Sequence, residues 1–407
     1  MDFNDSDEEA QYRAGARAFL AANATPKDAS RPEISKRLSP AELLTAAKAW
    51  QATKAASGYA CITWPRDWGG QGGTPMQSVI FAQEEERYDV PVGIFQIGLG
   101  MCVPTVMALA DEETKQRFVG PAMRGEEIWC QLFSEPAAGS DLANLRTRAV
   151  RDGDHWVIDG QKLWTTNAHI ADFGLLLARS DFAQPKHKGL TMFWLDMRTA
   201  GVEIRPIYQI GGKSSFNEVF FTEVRIPDSQ RLGEIGGGWK AALVTLMNER
   251  LAIGGAKGAD YPEIVALARN LRVGNGTALD DSGFRQRVAD WYVQAEGIKL
   301  TRLRTITALS RGETPGAESS IGKIVNANQL QDLANYAIEL QDQYGIIDDR
   351  SLSPMSAIFQ EGWLKAPGSR IAGGTDEILR SVIAERVLGL PAEPRMDKNK
   401  PFKDLPA

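Results

Sequence analysis

Between residues 128 and 228 the spacing of apolar side chains shifts from the helical repeat to strict alternation, and this change of period constrains the fold more than any other feature. The runs WVI, LLLA, TMFWLDM, VEIRPI and EVFFTEVRI are short, rich in β-branched and aromatic residues and separated by turn residues, as strands are. Asp152-Gly153 lies between two such runs and signals a two-residue hairpin, Asp159-Gly160 is read as the end of the next strand, and Pro227 closes the last one. The pattern predicts an antiparallel β domain.

Helical spacing flanks it on both sides. Tyr12, Ala16, Phe19 and Leu20 recur along 7–22, and a second amphipathic segment covers 41–56 after the start signal Ser39-Pro40. A Gly- and Pro-rich connection from Trp64 to Met76 leads into a helix over 76–88. Gly236-Gly237-Gly238 then opens a helical remainder reaching about Leu390. The fold class expected is α+β: an N-terminal helical domain (1–127), a central β domain (128–235), a C-terminal helical domain (236–395) and a mobile tail (396–407). The stretches 272–283 and 310–320 read as inter-helix loops.

A chain of 407 residues with 43% hydrophobic and 24% charged residues has the balance of a globular protein. Its net charge of −6 and the lack of a long basic block exclude a nucleic-acid partner held through phosphates. Cys61, Cys102 and Cys130 are far apart in apolar surroundings, without a Cys-x-x-Cys pair, so they read as small buried hydrophobes and no metal site is expected. The N-terminus is acidic where a signal peptide is basic, and no apolar run reaches the roughly 20 residues of a membrane span. A cytoplasmic location follows as the expectation.

The stretch from Gln131 to Asn167 reads as two strand ends around a Gly-rich loop. It places Ser134, Ser140, Thr165, Thr166 and Asn167 beside Phe133 and Trp164, a mixture suited to a flat polar ring system. The sequence FSEPAAGSD, followed about two dozen residues later by WTTN, resembles the signature of acyl-CoA dehydrogenases in order and spacing. The resemblance extends over nearly the whole chain and implies that family's helical, β, helical architecture. It also implies FAD resting on Gln131, Phe133, Ser134, Trp164 and Thr166, with Ser140 and Arg250 along the thioester and pantetheine.

Proton removal beside a thioester carbonyl needs a carboxylate held against an apolar chain. Ala242, Leu246, Glu249 and Ile253 share one helical stripe, which puts Glu249 in the middle of an apolar face. Pattern alone is equally satisfied by a buried Glu paired with an Arg from another helix. The resemblance gives Glu249 the role of base, because some family members carry theirs in this helix immediately before an arginine, as in MNERLAIGG. Most members instead place it in the loop that reads IAGGTDEILR here, where the matching residue is Gly373.

Gly373 keeps a backbone N–H for the thioester carbonyl, and its missing side chain frees volume for a branched or cyclic acyl group. A carboxylate introduced at 373 is expected to restore some activity to a chain lacking Glu249. Gly374 belongs to the substrate side. Thr375 is an N-cap and, by resemblance, faces the diphosphate side of FAD. Asp376 and Glu377 read as first-turn carboxylates that complement the helix dipole, so their amide substitutions are expected to be mild.

The activity implied is FAD-dependent conversion of an acyl-CoA to a 2-enoyl-CoA, with electrons passed to an electron-transfer flavoprotein, in a homodimer or tetramer. Asp342 and Gln343 stand where the family has a Gly-Gly pair that reaches the neighbouring subunit's FAD, which leaves a hetero-oligomer open. The alternatives are an oxygen-using flavoenzyme on the same fold and a non-catalytic subunit whose partner supplies the base.

Overall fold

The computed structural model describes residues 5–28, 34–212, 214–252, 259–311, 316–394, 397 and 399–405. They form two compact units, one of Met1–Tyr208, Ser214–Ala252 and Arg395–Ala407, the other of Gln209–Lys213 and Ile253–Pro394.

The first unit opens with helices α1 (Asp7–Asn23), α2 (Ile34–Arg37), α3 (Pro40–Ala56) and α4 (Pro75–Glu85). Three of them start as their sequences dictate, with capping boxes made by Ser6 and Glu9, Ser39 and Glu42, and Thr74 and Gln77. The helix expected over 76–88 stops at Glu85, because Tyr88 bridges to Pro26. Buried Glu84 ties α4 to α1 by accepting from Arg13 (2.9 Å) and Arg17 (2.9 Å). A π-turn, Gly98–Cys102, leads into α5 (Val103–Leu109), and α6 (Glu112–Met123) follows.

Eight strands then form one sheet in the order β6-β7-β3-β2-β4-β5-β8, with β1 also on β4. They are β1 (Trp129–Leu132), β2 (Arg148–Asp152), β3 (His155–Thr166), β4 (Phe173–Arg179), β5 (Leu190–Asp196), β6 (Val202–Ile207), β7 (Phe216–Pro227) and β8 (Arg231–Leu232). Pairing is antiparallel except that β1 and β2 run parallel to β4. All of β4 is buried because both its faces are covered. Leu175 and Leu177 pack with helical residues such as Phe118 and Val106, while Leu176 and Ala178 pack with Phe193, Val219 and Phe221.

The expected hairpin joins β2 to β3, with Gly153 and Asp154 as its loop between paired Asp152 and His155. Asp159-Gly160 does not end a strand. β3 runs on through a register shift at Gly160, where a Cβ would sit 2.6 Å from Thr147 Oγ1, so glycine is what lets the two segments touch.

Helix α7 (Gly238–Ala252) packs with this unit through Ala241, Ala242 and Leu246, and its buried Thr245 hydroxyl lies 2.9 Å from that of Thr105 on α5. The segment read as a mobile tail is folded back onto the β domain, with Phe402 only 2% exposed and Pro401 bridged to Pro185. An aromatic ring with a buried cation to cover overrides the polar composition that suggested mobility.

The second unit comprises α8 (Tyr261–Asn270), a hairpin of β9 (Arg272–Val273) and β10 (Gly276–Thr277), α9 (Ser282–Ser310), α10 (Ser319–Leu340), α11 (Ile358–Ser369) and α12 (Asp376–Val382), which continues as the π-turn Ile383–Val387. The stretch 272–283 is therefore a small hairpin and a 3-10 turn rather than a plain loop. Ile264, Phe284, Trp291, Leu333 and Phe359 form the core, and the Trp291 indole donates to Asp332 at 2.9 Å. Gly345 is needed locally, since a Cβ there would meet the Ile338 carbonyl oxygen at 2.4 Å. Among the described residues no helix is long and apolar enough to cross a membrane.

Candidate active site

The loop after β1 is laid along the far end of β3. Leu163 N–H donates to the Ser134 carbonyl at 2.8 Å, and Lys162 Nζ donates to the Phe133 carbonyl at 2.9 Å and to Glu135 Oε1 at 2.8 Å. Lys162 is 0% exposed and Glu135 8%. The Glu135 carboxylate also accepts from the backbone N–H groups of Arg146 (2.6 Å) and Thr147 (2.9 Å), so one buried anion ties both ends of the loop together. Burial alone would raise the Glu135 pKa, but the Lys162 charge and these donors outweigh it and hold it below the usual carboxylate range. Phe133 is buried in the core, whereas Gln131 and Ser134 are half-buried and Ser140 is exposed.

Two residues beyond Lys162 the β3 backbone leaves the strand conformation. Trp164 has φ +59° at a second register shift and is 54% exposed, with its ring meeting Phe216 edge-on at 5.7 Å. A left-handed tryptophan is an unfavourable conformation that persists only where its surroundings impose it. Here Lys162 anchors one side, and on the other buried Asn217 donates to the Thr165 carbonyl at 3.0 Å while Asn167 N–H donates to Ser215 at 2.9 Å. The Thr165 hydroxyl is buried with no partner. The bulge leaves an exposed indole on the segment that also carries half-buried Thr166, and the backbone of Leu163 ties this segment to half-buried Ser134. This set of one flat apolar face and several short polar groups fits the ring of a flavin.

Glu249 and Arg250 lie in α7, but their side chains fall outside the described residues. Glu249 follows Thr245 by one turn along the stripe of buried Ala242 and Thr245. The start of α7 is fixed by contact: Gly236 N–H donates to Thr191 Oγ1 at 3.1 Å, and a Cβ on Gly238 would approach Leu190 C at 2.7 Å.

In the second unit, Gly373 and Gly374 both have left-handed backbones (φ +65° and +93°) just before α12. Thr375 caps that helix by accepting from Ile378 N–H at 3.3 Å, and Lys323 Nζ donates to the Gly374 carbonyl at 2.6 Å. Asp376 lies in the first turn of α12 as expected, and the structure gives it a second role. It is 2% exposed and accepts from Arg370 Nε at 2.8 Å and Asn328 Nδ2 at 3.3 Å, so it holds this turn together rather than only facing the helix dipole from solvent.

Cys102 and Cys130 are the buried hydrophobes expected, whereas Cys61 is half-buried at the edge of the core that holds Cys102; desolvation pushes the Cys61 and Cys130 thiols up to about 12. Sequence reasoning missed Lys162, Glu135 and Asn217. The available signal was a lysine inside an otherwise strand-like run and a glutamate in the loop that faces it.

Residues 6–126 match the acyl-CoA dehydrogenase N-terminal domain, 130–224 the middle domain and 236–388 the C-terminal domain. Acyl-CoA dehydrogenase FadE34 of Mycobacterium tuberculosis is 38% identical over 93% of this chain, which spans 51% of that protein's length. Acyl-CoA dehydrogenase IpdE1 of the same organism is 34% identical over 94% of this chain and 98% of its own. Among solved structures, the ChsE4-ChsE5 complex from Mycobacterium tuberculosis superposes with a TM-score of 0.79 at 25% identity, covering 97% of this chain and 100% of that one. The Tcur3481-Tcur3483 steroid ACAD does so with a TM-score of 0.78 at 26% identity, with the same coverage of both chains. With all three domains matched in order and a relative 34% identical over nearly the whole of both chains, this chain belongs to the acyl-CoA dehydrogenase family of FAD-dependent oxidoreductases.

Proposed function

We propose that the protein oxidises an acyl-CoA between its α and β carbons to give a 2-enoyl-CoA. The observation that carries the reading is the forced bulge at Trp164, since backbone strain of this kind clusters at ligand sites and this instance presents an exposed indole. Gln131, Phe133, Ser134, Trp164 and Thr166 would hold the ring of FAD, and Thr375 would bind on its diphosphate side. FAD, when bound, supplies the two-electron redox chemistry by accepting the β hydrogen as hydride, and an electron-transfer flavoprotein takes the electrons onward.

Glu249 removes the α proton. Its helix is tied to α5 one turn earlier by the Thr105 and Thr245 hydroxyls, a packed element of the kind that can position a base. The Gly373 N–H polarises the thioester carbonyl, a role that needs no side chain. Ser140, Arg250 and Gly374 line the thioester and pantetheine. A glycine in place of the more usual glutamate leaves volume beside the reacting carbons, which favours a branched or ring-bearing acyl group. The likeness to a structure described as a steroid ACAD supports the same substrate class.

Anaerobic titration with straight-chain, branched and ring-bearing CoA thioesters, read as bleaching of the flavin absorbance, tests the reading. Glu249→Gln should keep FAD and bind thioester but slow bleaching by about 100-fold or more, because an amide cannot take the proton. Bleaching at the wild-type rate would rule out Glu249 as the base.

We also infer a symmetric assembly, a homodimer or tetramer. A hetero-oligomer is the second reading, favoured by the likeness to a two-protein complex. Light scattering of the purified chain, and whether that chain alone retains FAD, separates the two.

A further inference from the structure

Arg179, at the end of β4, is fully buried and aims its donors at backbone carbonyls. Nε bonds Leu145 at 3.0 Å, Nη2 bonds Ala143 at 2.6 Å, and Nη1 and Nη2 each reach Lys186 at 3.3 Å. Phe402 from the C-terminal segment covers the guanidinium face, with its ring centroid 3.5 Å from Cζ. The segment is pinned there by Phe402 N–H donating to Gln184 at 2.9 Å and Lys403 N–H donating to Phe182 at 3.0 Å. Nearby Lys186 holds Asp141 at 2.9 Å and Asp397 at 2.5 Å, so one nearly buried ammonium joins the C-terminal segment to the residue after Ser140.

We propose that the C-terminal segment 397–405 is a positioning element for loop 136–147, the loop that carries Ser140. The inference rests on the reading of Ser140 as a substrate-side residue. Glu135 fixes the base of this loop and its backbone bonds to buried Ala138, while the exposed residues Gly139 to Asp141 beyond Ala138 run directly into the stretch that Arg179 and Lys186 hold. Both anchors are covered or paired by the C-terminal segment. Uncovering Arg179 lets water compete for its bonds to the Ala143 and Leu145 carbonyls, and losing Asp397 leaves Lys186 less firmly placed beside Asp141.

The test uses full-length, FAD-loaded protein with Phe402→Leu, Asp397→Asn and the conservative Asp397→Glu. Hydrogen exchange over 139–147 should quicken about 10-fold or more in Phe402→Leu, the size expected for losing a desolvated cation–π contact. Exchange in β4 and β5 should stay at the wild-type rate. The KM for whichever thioester bleaches the wild-type flavin fastest should rise several-fold while kcat stays nearly level, and Asp397→Glu should restore what Asp397→Asn loses.

Unchanged exchange over 139–147 would overturn the proposal. So would a rise spread evenly over the first unit, which marks general destabilisation, or a looser loop with KM unaltered. Failure of the parent reading has a different signature, a wild-type flavin that no CoA thioester bleaches. The exchange measurement needs no substrate and still decides whether the segment positions the loop.

Discussion

Replacing Lys162 by Met tests the buried pair that holds the loop after β1, which is proposed to carry the flavin. The side chain is 0% exposed, so the substitution fills much the same space while leaving the Glu135 carboxylate buried without its cation. Removing one partner of a buried pair costs about 3–5 kcal/mol. Glu135 keeps the Arg146 and Thr147 N–H groups, which places the cost near the lower end, about 3 kcal/mol, and the Phe133 carbonyl also loses its donor. That is a large share of the about 5–15 kcal/mol that holds a typical domain together.

Urea unfolding of the flavin-free protein measures the loss, and equilibrium titration with FAD measures what the freed Phe133-Ser134 segment does to binding. About 10-fold weaker FAD binding corresponds to 1.4 kcal/mol of the disruption reaching the site. Adding Glu135→Gln to Lys162→Met should recover part of the stability, because the amide oxygen still accepts from the two N–H groups without carrying an unpaired charge. A single variant that costs under about 1 kcal/mol, or a double variant less stable than the single, would refute this account of the pair.

Three further outcomes are expected. Arg231 and the Trp156 indole hold the Asp228 carboxyl down to about 2, so the stability it contributes is complete above the ordinary aspartate value of about 3.9 and is lost as pH falls through about 2. Thermal midpoints of wild type and Asp228→Asn should therefore converge between pH 4 and 2, and parallel curves would count against the assignment. Asp376→Asn should cost about 2 kcal/mol or more in thermal unfolding, since it weakens a buried contact with Arg370, while a mild effect would return Asp376 to a dipole role. Gly373→Glu should be less stable by about 1–2 kcal/mol, because its φ of +65° is a left-handed conformation, and this strain reverses the rescue expected from sequence: in the Glu249→Gln background flavin bleaching should stay slow. Recovered bleaching would show that the turn can adjust.

The sequence alone determined the order of the elements and the reaction class. Capping boxes at Ser6, Ser39 and Thr74 are local chemistry, readable because the donor and acceptor lie three residues apart. Alternation located the β domain, because spacing along one chain fixes which residues can share a face, and FSEPAAGSD with WTTN carried the resemblance to the family whose three domain models the chain matches.

Tertiary structure decided the rest. That Lys162 closes an ion pair with Glu135, 27 residues earlier, depends on β3 passing over the loop after β1. That Gly160 continues a strand rather than ending it depends on Thr147 lying against it. Phe402 packs on Arg179 although more than 200 residues separate them, and its polar neighbours gave no sign of a docking site because none exists until β4 buries a guanidinium. Contacts between distant residues carry no periodicity of their own, so they become visible only once the chain has closed.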